Sequence, residues 1–301
     1  MRFSETEHGG LLAMWQSPPK CFVCLTFDVD FEFAWSKDVQ MFESTLQGKA
    51  LMALGLRRIL GTSLVTESQG EYGRRVGLGR VLEMLDRYDL KATFFVPGVH
   101  AENYPAIIED LHSRGHELAH HGYNHESPLH FDGKEDKERA QLEKGIEALQ
   151  RITGQRPKGY RAPALDLTEQ TLHLLSEQEF LYDSSLMADE KPYRIEVAGA
   201  DSRLLELPVD WVLDDWPHFA FWKPPIYMCG MSTPSQVLEI WLREFEGYYA
   251  NGGCFTLTMH PSIIGRSHRI QIVEELIKEI RLRADVRFAR CIDVVEHIND
   301  A

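Results

Sequence analysis

Short apolar runs alternate with amphipathic stretches of helical period along most of this chain, and that alternation restricts the fold to helices layered on a mostly parallel sheet. The runs fall at residues 22–27, 92–96, 116–119, 204–209, 254–259 and 286–289. Each is rich in β-branched, aromatic or leucine side chains, as strands buried on both faces are. Between them, Leu78, Val81, Leu82, Leu85 and Tyr88 keep a helical spacing. Pro105 suits a first helical turn, Ile107, Ile108 and Leu111 form one face, and Gly115 is a stop. Leu142, Ile146, Leu149 and Ile152 repeat the pattern before Gly154. Val237, Leu238, Trp241, Leu242 and Phe245 do so before Asn251-Gly252, and Ile270, Val273, Leu276, Ile277 and Ile280 form the last stripe. All of these stripes read as core. The sheet is either open or closed as a barrel, and in both cases ligands bind at the C-terminal strand ends.

No repeat or linker interrupts the 301 residues, so one domain over 20–301 is expected, preceded by an N-terminal extension at 1–19. A net charge of −14 argues against sequence-independent nucleic-acid binding and against docking on anionic membranes. No run approaches the roughly 20 apolar residues that cross a bilayer, and Leu11 to Met14 falls short of a signal h-region of about 7–15. The expectation is a cytoplasmic protein. Its five cysteines then read as reduced thiols. Cys21 and Cys24 have C-x-x-C spacing, but on a strand they point to opposite faces and cannot easily share a metal.

Three polar constellations sit at predicted strand ends. Thr26-Phe27-Asp28-Val29-Asp30 closes the first strand, and an extended backbone aims the two carboxylates to one side. Two acids at the end of an apolar strand are costly to desolvate unless a cation accompanies them. Gly115-His116-Glu117-Leu118-Ala119-His120-His121-Gly122-Tyr123-Asn124-His125 follows another strand. His121 and His125 are four apart, which on a helical turn puts both rings on one face, able to chelate one ion. His116 and His120 read as structural. The third set, Phe255-Thr256-Leu257-Thr258-Met259-His260-Pro261, leaves one imidazole at the rim because Pro261 stops the strand. Two histidines and one carboxylate leave coordination positions open for water and substrate. Asp28 beside them could accept a water proton, and His260 could protonate a leaving nitrogen. This is equipment for hydrolysing an amide-like bond.

In order and spacing these motifs resemble those of the polysaccharide deacetylase family, the NodB-homology domain of carbohydrate esterase family four, over residues 20–295. The matching blocks are Thr26 to Asp30, His121 to His125, Arg161-Ala162-Pro163 and Leu257-Thr258-Met259-His260. The resemblance implies an α/β fold, a distorted (β/α) barrel with seven or eight mostly parallel strands. It implies Asp28 as catalytic base, Arg161 as the residue orienting it, and His260 as acid. It implies Asp30, His121 and His125 as ligands of one divalent metal, for which zinc suits the donors. Val29 between the aspartates and Gly122 after the histidine depart from the common pattern. With Tyr72-Gly73-x-Arg75-Val76-Gly77, Tyr182-Asp183-Ser184-Ser185-Leu186-Met187 and Glu206-Leu207-Pro208, they resemble a subgroup holding cyclic imide hydrolases, allantoinase-like enzymes and a peptidoglycan deacetylase branch.

Arg75, Tyr123, Asp214, Asp215 and Trp216 are candidate substrate contacts. Asp214 and Asp215 could polarise His260 or form a solvated acidic turn, and the aromatic stretch Trp211, Trp216, Phe219, Phe221, Trp222 could wall a site or a subunit contact. The leading expectation is metal-dependent hydrolysis of a non-peptide C–N bond, with an N-acetylated sugar as substrate. A cyclic imide or ureide is the alternative small-molecule substrate. A non-haem iron oxygenase and a binding protein with a decayed site are more remote. A homo-oligomer is expected, with no nucleic-acid or membrane partner.

Overall fold

The computed structural model describes residues 19–32, 64–197, 200–222, 228–229 and 231–300. Most of the expected N-terminal extension, and much of the stretch between the first strand and Gly77, lie outside the described residues. The first strand, β1 (Cys21–Asp28), is central. On one side it pairs with β10 (Gly253–Met259). On the other it takes β2 (Thr93–Val96) along its C-terminal half and β11 (Val286–Phe288) along its N-terminal half. The sheet continues through β3 (Glu117–His120), β4 (Gly159–Tyr160), β5 (Tyr182–Asp183), β7 (Ala200–Glu206) and β6 (Tyr193–Val197), giving nine strands. Every pairing in it is parallel except the β6–β7 hairpin. A small antiparallel pair, β8 (Phe221–Trp222) with β9 (Met228–Cys229), stands apart.

The result is a mostly parallel sheet curled into a half-barrel, the distorted (β/α) barrel expected. The curl is completed by irregular chain. Cys254 N–H donates to the carbonyl of Glu190 at 3.2 Å, and Asp214 forms an isolated parallel bridge with Thr258.

Strand alternation sorts the side chains into two layers. Cys21, Val23, Leu25 and Phe27 join the outer cluster under the helices. Phe22 and Cys24 face inward with Phe95, Ala119, Tyr182, Leu205, Leu207 and Cys254. Cys21 and Cys24 therefore do lie on opposite faces, and Cys24 Sγ instead meets Cys254 Sγ at 3.8 Å. α1 (Leu64–Tyr72) lies against the chain that follows β1 and β10, with Gly70 beside Phe31 and the Tyr72 hydroxyl donating to Gly265 O. The outer layer is covered by α2 (Leu78–Arg87), α3 (Gly98–Asn103), α4 (Pro105–Ser113) and α5 (Glu135–Thr153). It continues with α6 (Glu169–Glu177), α7 (Asp215–Phe219), α8 (Pro234–Asn251) and α9 (Arg269–Ile280). The final helix, α10 (Cys291–Asp300), plugs the N-terminal end of the barrel with Cys291, Val294, Val295 and Ile298. Its first turn is capped from inside, where Glu117 Oε2 accepts from Ile292 N–H at 2.9 Å. None of the described helices is long and apolar enough to cross a membrane.

The six strand readings all land on strands, with one large boundary error. Of the run at 204–209 only 204–206 lie on a strand, the end of β7, which pairs with β6 from Ala200 to Glu206. The two-residue strands β4 and β5 carry no readable period. Helix punctuation matches its chemistry: Pro105 opens α4, and Gly115 (φ 82°) and Gly154 (φ 70°) adopt the left-handed conformation after α4 and α5.

His116 and His120 are structural, as read. His116 Nδ1 accepts from Ala92 N–H at 3.2 Å, and burial pushes its pKa down to about 4. His120 lies on the outer face, its Nδ1 accepting from Gly122 N–H at 3.1 Å and its Nε2 bonded to Leu142 O at 3.2 Å. It is roofed by Gly145 of α5, where an added Cβ would sit 2.1 Å from His120 Nε2. Gly145→Ala is therefore expected to destabilise the fold by about 1–3 kcal/mol through overpacking. Urea denaturation measures this, and an unchanged midpoint would show that α5 does not rest on His120 as described.

Candidate metal centre and active site

The inward-facing parity that fills the lower barrel with apolar groups delivers polar ones at its C-terminal rim. On β1 the series 22, 24, 26, 28 ends in Thr26 and Asp28, and on β10 the series 254, 256, 258 leads to His260. On β3, Glu117 and Ala119 precede His121, so of two adjacent histidines only the second enters the barrel. All these groups are buried.

His121 Nε2 lies 3.3 Å from Asp30 Oδ1, and His125 Nε2 lies 3.5 Å from Asp30 Oδ2. Ligand atoms of the three residues fall within 4.8 Å of one another. The helical turn expected for the two histidines is absent. His121 follows directly on the strand, Gly122 turns the chain at φ 70°, and His125 itself holds φ 55°, which brings the rings to 5.1 Å between centroids. The loop is fixed to the end of β2, since Gly98 and Val99 donate to the carbonyls of Gly122 and Tyr123 at 3.0 and 2.8 Å. A glycine suits position 122 twice over: the left-handed φ disfavours side chains, and a Cβ would press within 3.0 Å of Pro163.

A cation fits this trio. Asp30 Oδ1 is buried with no hydrogen-bond partner. Burial acts to raise the Asp30 pKa, but the imidazoles of His125 and His121 outweigh it and hold the carboxyl well below its ordinary value. His121 Nδ1 is bonded to Arg161 O at 2.8 Å, so this nitrogen carries the proton and Nε2 presents its lone pair inward. Zinc bonds of about 2.1 Å in tetrahedral array set ligand atoms about 3.4 Å apart, close to the spacing seen.

Asp214, Asp215 and His260 form a second cluster of similar compactness. Its lone pairs are spent within the protein. Asp215 Oδ1 takes His260 Nδ1–H at 2.7 Å, Asp215 Oδ2 takes His260 N–H at 3.0 Å, and Asp214 Oδ1 takes Trp216 N–H at 2.7 Å. Both aspartates are buried, which removes the solvated-turn reading. Burial raises both carboxyl pKa values, Asp214 to about 7, against the lowering influence of His260. Burial would lower the His260 pKa, but Asp215 and Asp214 override it and hold it well above the ordinary value. The ring is thus fixed with an Nε2–H directed at the trio, 3.6 Å from Asp30 Oδ2 and 3.9 Å from Asp28 Oδ2.

Asp28 stands on the other side. Its Oδ1 accepts from Arg161 Nη1 at 2.8 Å, leaving Oδ2 3.8 Å from His121 Nε2. Arg161 is fully buried, 4.0 Å over the Phe95 ring, and its other N–H groups bond Thr26 Oγ1, Ser184 O and Ser184 Oγ, each at 2.9 Å.

The remaining candidates divide. Trp216 packs edge-on against His260, with centroids 5.1 Å apart. Tyr123 turns away, its hydroxyl donating to Glu102 at 2.6 Å beneath Lys144. Arg75 is two-thirds exposed and pairs with Glu71 at 3.3 Å. His100 was not foreseen. It is wholly buried between Phe31 and Tyr104, and its Nε2 meets Asp30 O at 2.7 Å. Burial pushes its pKa down to about 4, so the ring is neutral and props the Asp30 backbone through Nε2–H. Its signal was available: like His121 and His260, it follows closely on a strand end.

Comparison with known proteins follows this geometry. The family model for polysaccharide deacetylase matches residues 72–182. A peptidoglycan deacetylase from Helicobacter pylori is 29% identical over 245 residues, 73% of this chain and 83% of the relative. A structure from Mycobacterium smegmatis described as a polysaccharide deacetylase is 36% identical, with TM-score 0.80, over 95% of this chain and 92% of that one. An allantoinase structure shares the fold at TM-score 0.76 and 22% identity, over 95% and 94% of the two chains.

Removing Asp30 and removing its prop should differ in degree. His100→Ala is expected to weaken metal binding about 10–100-fold, and Asp30→Ala more than that. Chelator competition on purified apoprotein measures both. Wild-type affinity in Asp30→Ala would rule out the trio as the site.

Proposed function

This chain belongs to the polysaccharide deacetylase family, and on that premise we propose that it removes acetyl groups from an N-acetylated sugar by metal-assisted amide hydrolysis. The observation that carries the reading is convergence. A carboxylate held by Arg161 and an imidazole held by Asp215 approach the Asp30–His121–His125 trio, with Asp28 Oδ2 and His260 Nε2 3.9 Å apart. A divalent ion held by the trio, zinc by the chemistry of its donors, would polarise the substrate carbonyl and make a water acidic near neutral pH.

The chain's own groups supply the rest. Asp28 accepts the proton of the attacking water through Oδ2, because Oδ1 is engaged by Arg161. Arg161 fixes the direction of that carboxylate, with Nη1 2.8 Å from Asp28 Oδ1. His260, protonated and aligned by Asp215, gives its Nε2 proton to the departing amine. Trp216 packs against the imidazole, centroids 5.1 Å apart, and limits its rotation.

The same aromatic contact favours a second substrate reading. A flat indole edge-on to the acid suits a small planar ring, so a cyclic imide or ureide would meet the same base and acid.

Asp28→Asn is expected to retain metal while kcat falls by about 10²-fold or more, and His260→Ala to lower kcat with little change in KM. The panel that tests both readings sets acetylated chitooligosaccharides beside succinimide-, hydantoin- and allantoin-type rings. Release of acetate supports the sugar, and turnover confined to the rings transfers the reading to the imides. Undiminished turnover by Asp28→Asn would remove its role as base.

A further inference from the structure

Asp183 of β5 and Glu206 of β7 are register partners on neighbouring parallel strands. Alternation sets them on the face opposite Tyr182, Leu205 and Leu207, which point into the barrel, and both are fully buried. Their bonded oxygens take neutral donors only. Glu206 Oε1 accepts from Ser185 N–H at 2.9 Å and Leu186 N–H at 3.0 Å, and Asp183 Oδ1 accepts from the Ser185 hydroxyl at 2.9 Å. Asp183 Oδ2 and Glu206 Oε2 have no further partner. Two facing carboxylates, fully buried and bonded only to neutral donors, are costly to charge together, and one proton between them would relieve that cost. Burial raises both pKa values, Asp183 to about 6 and Glu206 well above its ordinary value, which favours a proton held between the two carboxyls. The groups facing the pair are Tyr160, Tyr193 and Arg161.

The turn this pair holds is the one that holds Arg161. Ser185 is gripped at its N–H by Glu206 and at its hydroxyl by Asp183, while the same oxygen accepts from Ala162 N–H at 2.9 Å. Ser184, between the pair and Ser185, accepts two of the Arg161 hydrogen bonds through its carbonyl and hydroxyl oxygens. We propose that Asp183 and Glu206 share one proton and act as a positioning pair, fixing the Ser184–Ser185 turn and through it the aim of Arg161 at Asp28. The catalytic consequence rests on Asp28 being the base, whereas the effect on Arg161 does not.

A double-substitution cycle in the full chain tests this. Glu206→Gln mimics the protonated acid, since its amide donates to Asp183 and its carbonyl still accepts the two backbone N–H groups. Asp183→Asn places the amide donor on the other strand and leaves Glu206 as the acceptor. Each single change is expected to cost no more than about threefold in kcat. Together the amides face donor to donor, and the double variant should lose at least about thirtyfold in kcat, with KM and zinc affinity little changed. The second readout needs no substrate: the Arg161 Nε–H resonance in nitrogen-15 NMR should stay slow to exchange in both singles and become fast in the double. Additive effects, a protected Arg161 Nε–H in the double, or a thirtyfold loss in either single would overturn the proposal. Should the double variant fail to fold, the singles decide alone through the same two limits.

Discussion

A guanidinium with no solvent contact persists only if its hydrogens find acceptors, and Arg161 meets that condition in a way that organises the whole site. Its side chain binds Thr26 and Asp28 from β1 and both oxygens of Ser184 beyond β5. Its backbone carbonyl takes the proton of His121 Nδ1. One residue therefore sets the direction of a candidate base and the tautomer of a candidate ligand. Removing it would leave Asp28 buried without its partner, a loss on the order of 3–5 kcal/mol for a broken buried pair. The demand reaches outward through Ser184 and Ser185 to Asp183 and Glu206.

The barrel interior is graded along its axis. Phe22, Cys24 and Cys254 meet the plug of α10 at the N-terminal end, Thr26, Glu117 and Tyr182 make the polar middle, and acids and imidazoles occupy the C-terminal rim. Environment, rather than residue type, separates the carboxyls of that interior and its walls. Asp30 faces two imidazoles and is held well below its ordinary pKa, while Asp183, Asp214 and Glu206 are raised by burial. Acids so divided can play different parts at one pH.

The long elements were legible because period and punctuation agreed, as in α4 between Pro105 and Gly115 and in β1 with its inner and outer residues. Asp28, His121 and His260 reach the rim because strand parity aims them, and parity can be read from sequence. Other features depend on contacts that sequence spacing does not encode. The pairing of His121 with His125 relies on two residues at positive φ, not on a helix. His100 reaches Asp30 only because α3 follows β2 past the rim. β4 and β5 are two residues long, too short to show a period, yet they place Arg161 and Ser184. Tyr123 and Arg75 lay in or near motif blocks, but one turns to Glu102 and the other to Glu71.

The central claim is that Asp30, His121 and His125 hold one cation while Asp28 and His260 remain off it. Anomalous diffraction at the zinc edge from crystals grown with zinc tests this most directly. The account predicts a single peak with Asp30, His121 Nε2 and His125 Nε2 at about 2.0–2.2 Å and open positions toward Asp28 and His260. A peak centred instead among Asp214, Asp215 and His260, or no peak at the trio, would contradict it.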